Sequence, residues 1–133
     1  MQKILPPINE LTKPFYDGCL QNELRLQFCD SCEIHQYYPR IVCYKCGGEK
    51  IRWVRVSGRA VLTSFTVVRR SLTEAYDAPY TVLLASLEEG PCMMSQLTGN
   101  TDECSIGDSL IVDFVDWGSG IKLPLFKRLT GNY

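Results

Sequence analysis

Two C-x2-C hooks, Cys29/Cys32 and Cys43/Cys46, lie ten residues apart and constrain this chain more than any other feature. Two hooks placed one shortly after the other supply four soft thiolates that can converge on one tetrahedral ion, the ligand set of a structural zinc ribbon. The separation is shorter than in most ribbons, but both hooks are intact. An iron centre of the rubredoxin kind uses the same four ligands and stays open as an alternative metal. Gly47 and Gly48 follow the last ligand, where a tight knuckle calls for positive φ or close backbone approach. Leu24, Leu26 and Phe28 lead into the first hook with period-two alternation, predicting an edge strand of the ribbon.

Four protein ligands fill a zinc shell, so no coordination position remains for water or substrate and the ion's role is structural. The other three cysteines, Cys19, Cys92 and Cys104, read as reduced, mostly packed thiols. An odd number of cysteines, four of them committed as thiolates, argues against an oxidising compartment and for the cytoplasm. No apolar run approaches the length that spans a bilayer, so no membrane association is expected.

The 133 residues suffice for one ordinary domain and a small appendage. Residues 1–70 carry 11 Lys and Arg against 6 Asp and Glu, a balance of +5, while residues 71–133 carry 3 against 9, a balance of −6. A zinc tetrathiolate centre adds about −2 to the first half. That is too weak a field for a general nucleic-acid surface, yet enough for a local pocket holding a few phosphates.

The pattern along the chain is mainly β and falls into three parts. Residues 1–23 are an arm with Pro6 and Pro7 followed by a short docking helix from about Thr12 to Leu20, capped by Thr12 and with Pro14 in its first turn. Gly18 weakens that helix and makes it dependent on packing. Residues 24–50 form the ribbon. Residues 51–133 read as a barrel, with strands at Ile51–Val56, Ala60–Val68, Tyr80–Leu87, Cys92–Leu97, Ser109–Val115 and Ile121–Phe126. The polar pair Thr63 and Ser64 interrupts the longest strand, and Asp116 to Gly120 make a hairpin loop. So many closely spaced strands favour a closed five-stranded OB-fold, since closure removes exposed edges.

Several segments in this order carry a family resemblance: Lys13-Pro14-Phe15, Leu26-Gln27-Phe28-Cys29, Tyr37-Tyr38-Pro39-Arg40, Ser57-Gly58-Arg59, Ala78-Pro79-Tyr80, Leu87-Glu88-Glu89-Gly90, Ile106-Gly107-Asp108 and Leu123-Pro124-Leu125-Phe126. Over residues 12–128 the chain resembles the zinc-ribbon and OB-fold accessory proteins of thiolase-like acyl-CoA enzymes. One departure is Tyr38-Pro39-Arg40, where many members carry two consecutive prolines. The resemblance implies a short helix, a rubredoxin-like zinc ribbon and a five-stranded OB barrel. It further implies a non-catalytic accessory subunit, bound to a thiolase-fold catalytic subunit as a heterotetramer. Such a subunit helps form the site where a thiolase, acyltransferase or retro-aldolase acts on an acyl-CoA.

The residues themselves argue against autonomous catalysis. Thiolase-type carbon–carbon chemistry needs an activated cysteine with nearby histidines. The single histidine, His35, falls in the ribbon loop, and Cys92 has no base visible in the sequence. Asp113 and Asp116 read as exposed turn residues. Coenzyme A presents three phosphate groups beside an adenine, so Arg40 and Lys45 on the ribbon and Arg69 and Arg70 at the end of the long strand are the candidate contacts. Arg59 is expected to pair with a barrel carboxylate, and Leu123 to Phe126 to form a closing strand with Pro124 at an edge or bulge. The rival function is a single-stranded nucleic-acid module with Phe65, Tyr80 and Trp117 as stacking rings. The acidic second half and the pI near 5.8 count against it.

Overall fold

The computed structural model describes residues 3–99 and 103–129. One helix, α1 (Lys13–Leu20), precedes eight strands: β1 (Arg25–Cys29), β2 (Ile34–Gln36), β3 (Ile51–Arg55), β4 (Arg59–Val68), β5 (Tyr80–Leu87), β6 (Cys92–Gln96), β7 (Ser109–Gly118) and β8 (Ile121–Arg128). They form two antiparallel sheets, β2-β1-β3 and β6-β5-β4-β7-β8. No described helix is long and apolar enough to cross a membrane.

The ribbon sheet differs from the expectation in two respects. β1 is its central strand, not an edge, because β2 and β3 both pair with it. β3 follows the hooks and stands first in the predicted barrel series, yet it is hydrogen-bonded to β1 across Arg25↔Arg55 to Cys29↔Ile51. Period-two patterning predicts a strand but not its neighbour, and a five-residue strand carries too little pattern to choose between sheets.

The larger sheet curls into the OB arrangement. β4 and β5 pair from Ala60↔Leu87 to Val68↔Tyr80, with a register shift between Leu62 and Ser64. The polar interruption at Thr63 is thus a bulge that bends one long strand around the barrel. β6 and β8, the outer strands, meet only at the end. There Leu97 bridges Phe126, the Thr98 N–H donates to the Phe126 carbonyl at 2.8 Å, and the Ser95 hydroxyl donates to the Pro124 carbonyl at 2.6 Å. The barrel is therefore nearly closed, and Pro124 sits on an outer strand, where its missing N–H is tolerated. The β7–β8 turn is tighter than predicted, with Ser119 and Gly120 as its two central residues at φ 53° and 76°. Positive φ at both positions marks a type I′ hairpin turn.

The helix start also differs. Thr12 makes no capping bond to the helix, and its backbone is already helical. Asn9 does that work: its Oδ1 accepts from the Thr12 N–H at 3.0 Å, while Thr12 Oγ1 accepts from the Asn9 N–H at 3.1 Å. The reciprocal pair satisfies two donors at once, one turn earlier than the sequence suggests. Gly18 is buried, and a Cβ there would lie 2.8 Å from the Arg25 side chain and 2.9 Å from the Glu23 carbonyl. Its low helix propensity is offset by the close approach it allows.

One core serves both parts. Phe15 and Cys19 from the helix and Leu24 and Leu26 from the ribbon side join Leu62, Leu83, Met93, Leu110 and Phe126 of the barrel in a single buried cluster. Between the parts, the linker Ser57-Gly58-Arg59 is clasped by the β5–β6 turn. The Ser57 N–H donates to Glu89, and both the Ser57 hydroxyl and the Arg59 guanidinium donate to Glu88. The Arg59–Glu88 pair at 3.1 Å meets the expected partnering of Arg59. The Ser57 hydroxyl, and after it Arg59, holds the Glu88 carboxyl below the usual carboxylate range.

Candidate metal centre and neighbouring surfaces

β1 delivers Cys29 at its last residue, and the chain then turns back on itself, so that the Glu33 N–H reaches the Cys29 carbonyl at 2.8 Å. The second hook repeats the turn: the Gly47 N–H reaches the Cys43 carbonyl at 2.9 Å. The residue after each hook takes positive φ, 55° at Glu33 and 72° at Gly47. Folded this way, the hooks aim their sulfurs at one point. All four Sγ atoms lie within 4.8 Å of one another, with Cys29 to Cys46 at 3.8 Å and Cys32 to Cys43 at 4.0 Å.

These separations answer whether the residues fit zinc. A tetrahedral ion with Zn–S bonds of about 2.3 Å places its sulfurs about 3.8 Å apart. A disulfide needs about 2.05 Å. Backbone N–H groups point at three of the sulfurs: Cys32 to Cys29 at 3.5 Å, Lys45 to Cys43 at 3.3 Å and Gly48 to Cys46 at 3.4 Å. Such donors hold the three sulfurs in their orientation toward the common point. The four cysteines named from the sequence are thus brought together as a tetrathiolate site.

Behind the hooks the ribbon is held by two buried glutamines that the sequence reading overlooked. Gln36 donates to Gln27 at 2.7 Å, and Gln27 both donates to the Arg40 carbonyl and accepts from the Arg40 N–H at 2.8 Å. Gln36 also accepts from the Tyr44 N–H at 3.0 Å. Side-chain amides thereby replace strand partners for the loop between the hooks, satisfying buried polar groups where apolar packing is thin. Tyr38, Ile41 and Val42 are left exposed on that loop, and Tyr44 on the second hook.

The four basic candidates do not converge. Arg40 lines a cavity of about 460 Å³ at the ribbon–barrel junction, together with Glu33, His35, Tyr44 and Glu89. Lys45 is exposed on the second hook, and Arg69 and Arg70 are exposed just past the end of β4. The junction lies at the Leu87 end of β5, whereas Arg69 and Arg70 lie at its Tyr80 end. Eight strand residues separate the two ends by roughly 23 Å. His35 is on β2, not in a loop, with its ring 5.0 Å from Phe28. Asp113 is within β7 and accepts from the Thr98 hydroxyl at 3.0 Å, so it is no turn residue. Tyr80 and Trp117 both pack near Tyr76, at 6.4 and 6.3 Å between ring centres.

A second concave surface was not legible in the sequence. A groove of about 320 Å³ runs where β6 and β8 diverge, lined by Met93, Met94, Leu123 and Leu125 and walled by Phe15, Tyr16, Tyr37 and Trp117. The N-terminal arm contributes Pro6 to its wall. Beside it, Ile4 donates to the Tyr76 hydroxyl at 2.9 Å and accepts from the indole of Trp117, a wall residue, at 3.2 Å. Each lining residue is an ordinary core type in sequence, and only the incomplete closure of the barrel groups them.

Burial, then Tyr38, pushes the Tyr16 phenol up to about 12; burial, then Tyr16, does the same to Tyr37; burial pushes the Cys19 thiol up to about 12. The folded chain therefore keeps protons that the unfolded chain loses near pH 9–10. This contribution is complete below pH 9 and disappears as pH rises towards 12. Urea midpoints are expected to hold up to about pH 9 and fall between pH 10 and 12, with a shallower fall in Tyr37→Phe. A midpoint that does not change across that window would contradict the buried placement of these groups.

A four-thiol ribbon sheet, joined by a short linker to a nearly closed OB barrel, defines a zinc-ribbon and OB-fold protein. Comparison with known families matches residues 17–52 to the ChsH2 rubredoxin-like zinc ribbon domain and residues 53–115 to the ChsH2 C-terminal OB-fold domain. The chain belongs to this ChsH2 family, whose relatives carry the designation DUF35. It is 27% identical over 123 residues to a probable enoyl-CoA hydratase alpha subunit of Thermomonospora curvata, a match covering 92% of this chain and 39% of that subunit. It is 32% identical to a DUF35 domain-containing scaffold protein of Methanothermobacter thermautotrophicus, over 65% of this chain and 67% of the relative. Among solved structures, it resembles a chain of the Ltp2-ChsH2(DUF35) aldolase with a TM-score of 0.85 and 26% identity, over 93% of this chain and 98% of that one. The chain thus spans well under half the length of the hydratase subunit it matches.

Proposed function

We propose that the chain is a non-catalytic accessory subunit that binds a thiolase-fold enzyme in the cytoplasm, as a heterotetramer, and helps form its acyl-CoA site. The observation that carries this reading is the near end-to-end likeness to a chain of the Ltp2-ChsH2(DUF35) aldolase. Relatives named as a scaffold and as a hydratase subunit acting on a CoA thioester point the same way. The site chemistry agrees. Four cysteines would fill the ion's shell, and the single histidine, His35, packs edge-on against Phe28. An exposed apolar strip on a metal-stiffened loop suits a docking role, because large exposed apolar side chains next to each other favour burial against a partner.

For coenzyme A, the separation of the basic candidates makes two ends of the barrel distinguishable. Arg40 lies at one end and Lys45 on the ribbon hook, Arg69 and Arg70 lie at the other end, and either the ribbon pair or the strand-end pair is expected to hold the phosphates. The test is co-expression with a thiolase-fold subunit, followed by assays of the subunit alone and of the mixture. Copurification with a gain of acyl-CoA cleavage or condensation is expected. In the mixture, charge reversal of one basic pair is expected to weaken acyl-CoA binding by roughly tenfold or more while the other is nearly silent. Full turnover by this chain in isolation, or failure of both charge reversals to change affinity, would refute the respective parts.

A further inference from the structure

The four ligands of the metal centre are unequally protected. Cys29 and Cys43 are each 1% exposed, Cys32 is half-buried, and Cys46 is open to solvent. Gly48 is the neighbour that would otherwise cover Cys46: a methyl group there would sit 3.3 Å from its sulfur. The exposed sulfur also has a buried partner close by, since Cys46 Sγ lies 3.8 Å from Cys29 Sγ in the other hook. Thiolate reactivity follows access, so an attacking reagent meets one ligand before the rest.

We infer that Cys46 is the exit point of the metal, and that a hydroperoxide converts the centre to a metal-free Cys29–Cys46 disulfide through it. The balance is complete with hydrogen peroxide as the oxidant. The Cys46 thiolate attacks one peroxide oxygen, the O–O bond breaks, a sulfenic acid forms and hydroxide leaves. The Cys29 thiolate then attacks the Cys46 sulfur, the S–S bond forms, the S–O bond breaks and a second hydroxide leaves. Two thiolates have lost two electrons, and the peroxide has gained them. The metal loses two of its four ligands in one event and is released. The centre thereby gives the ribbon an oxidant-sensitive state, whereas Cys92, the other exposed cysteine among the described residues, lies outside the four-thiol cluster and gives only a terminal modification.

The test uses the full zinc-loaded chain. Hydrogen peroxide is added in steps; released zinc is followed with a chromogenic chelator, and cysteine states are mapped by peptide mass spectrometry. Cys46 is expected to be the first ligand modified, a peptide bridging residues 29 and 46 to grow in step with zinc release, and a thiol reductant with added zinc to reverse both. Gly48→Ala, whose methyl shields the sulfur, is expected to release zinc several-fold more slowly. Should Gly48→Ala disturb folding, the mapping on the unaltered chain decides by itself. Zinc loss while Cys46 remains unmodified, or a disulfide that excludes Cys46, overturns the inference.

Discussion

Chelation is expected to unfold the ribbon while leaving the barrel standing. The ribbon sheet has three short strands, of five, three and five residues, and its interior between β1 and β2 is two glutamines instead of an apolar core. Structural zinc in small modules contributes about 10–16 kcal/mol of apparent binding free energy, which is largely folding free energy. A chain of this size has a total stability of about 5–15 kcal/mol. No reserve within the ribbon can replace the ion. The boundary of the melt follows from the core. Leu24 and Leu26 belong to the buried cluster shared with α1 and the barrel, so protection is expected to persist there. It is expected to be lost from about Phe28 to Arg52, which the sulfur centre and the glutamine pair hold. Amide hydrogen exchange before and after metal removal reads this directly. Protection in β4, β5 and β7 should remain, since their ladders involve no cysteine ligand. A ribbon that keeps its protected amides after complete metal loss would show that the ion is a passenger.

The contrast between what patterning predicted and what it missed has a common physical cause. The hooks were legible because tetrahedral coordination demands a fixed ligand type at short, fixed spacing. The OB barrel was legible because β-branched runs broken by turn residues leave a chain of this length few ways to bury one face. Gln27 was not, for it occupies the position between Leu26 and Phe28 where alternation predicts an outward polar residue. Its burial depends on Gln36 and on a loop that returns thirteen residues later to Arg40. In the same way Asn9 caps the helix because of a local turn, while Thr12, with the more conventional cap position, faces inward at 2% exposure. Arg40 and Arg69 look alike in sequence, yet strand direction sends them to opposite ends of β5. Long-range register is information that no window of the sequence holds.

Gly58→Ala is expected to destabilise the junction by about 2–5 kcal/mol, since a Cβ there would make the shortest contact of any described glycine. Two costs add. The backbone at Gly58 has φ +78°, where a side chain costs roughly 1–2 kcal/mol. An added Cβ would also lie 2.4 Å from Val112 Cγ1, inside any tolerable contact, and overpacking of this kind costs about 1–3 kcal/mol. Relief by backbone movement is limited on both sides. The Gly58 carbonyl accepts from the Val112 N–H at 2.9 Å, and Ser57 and Arg59 are bonded to Glu88 and Glu89. Gly120 supplies the matched control. Its φ is +76°, and nothing lies within 4 Å of its would-be Cβ, so Gly120→Ala should show the backbone cost alone. The difference in urea midpoint between the two variants isolates the steric part. Adding Val112→Ala to Gly58→Ala should then recover much of that difference, because it removes the offending methyl and keeps the backbone bond. Equal losses for Gly58→Ala and Gly120→Ala would mean that the ribbon and barrel yield freely about this linker. The clasp by Glu88 and Glu89 would then not hold the two parts in register.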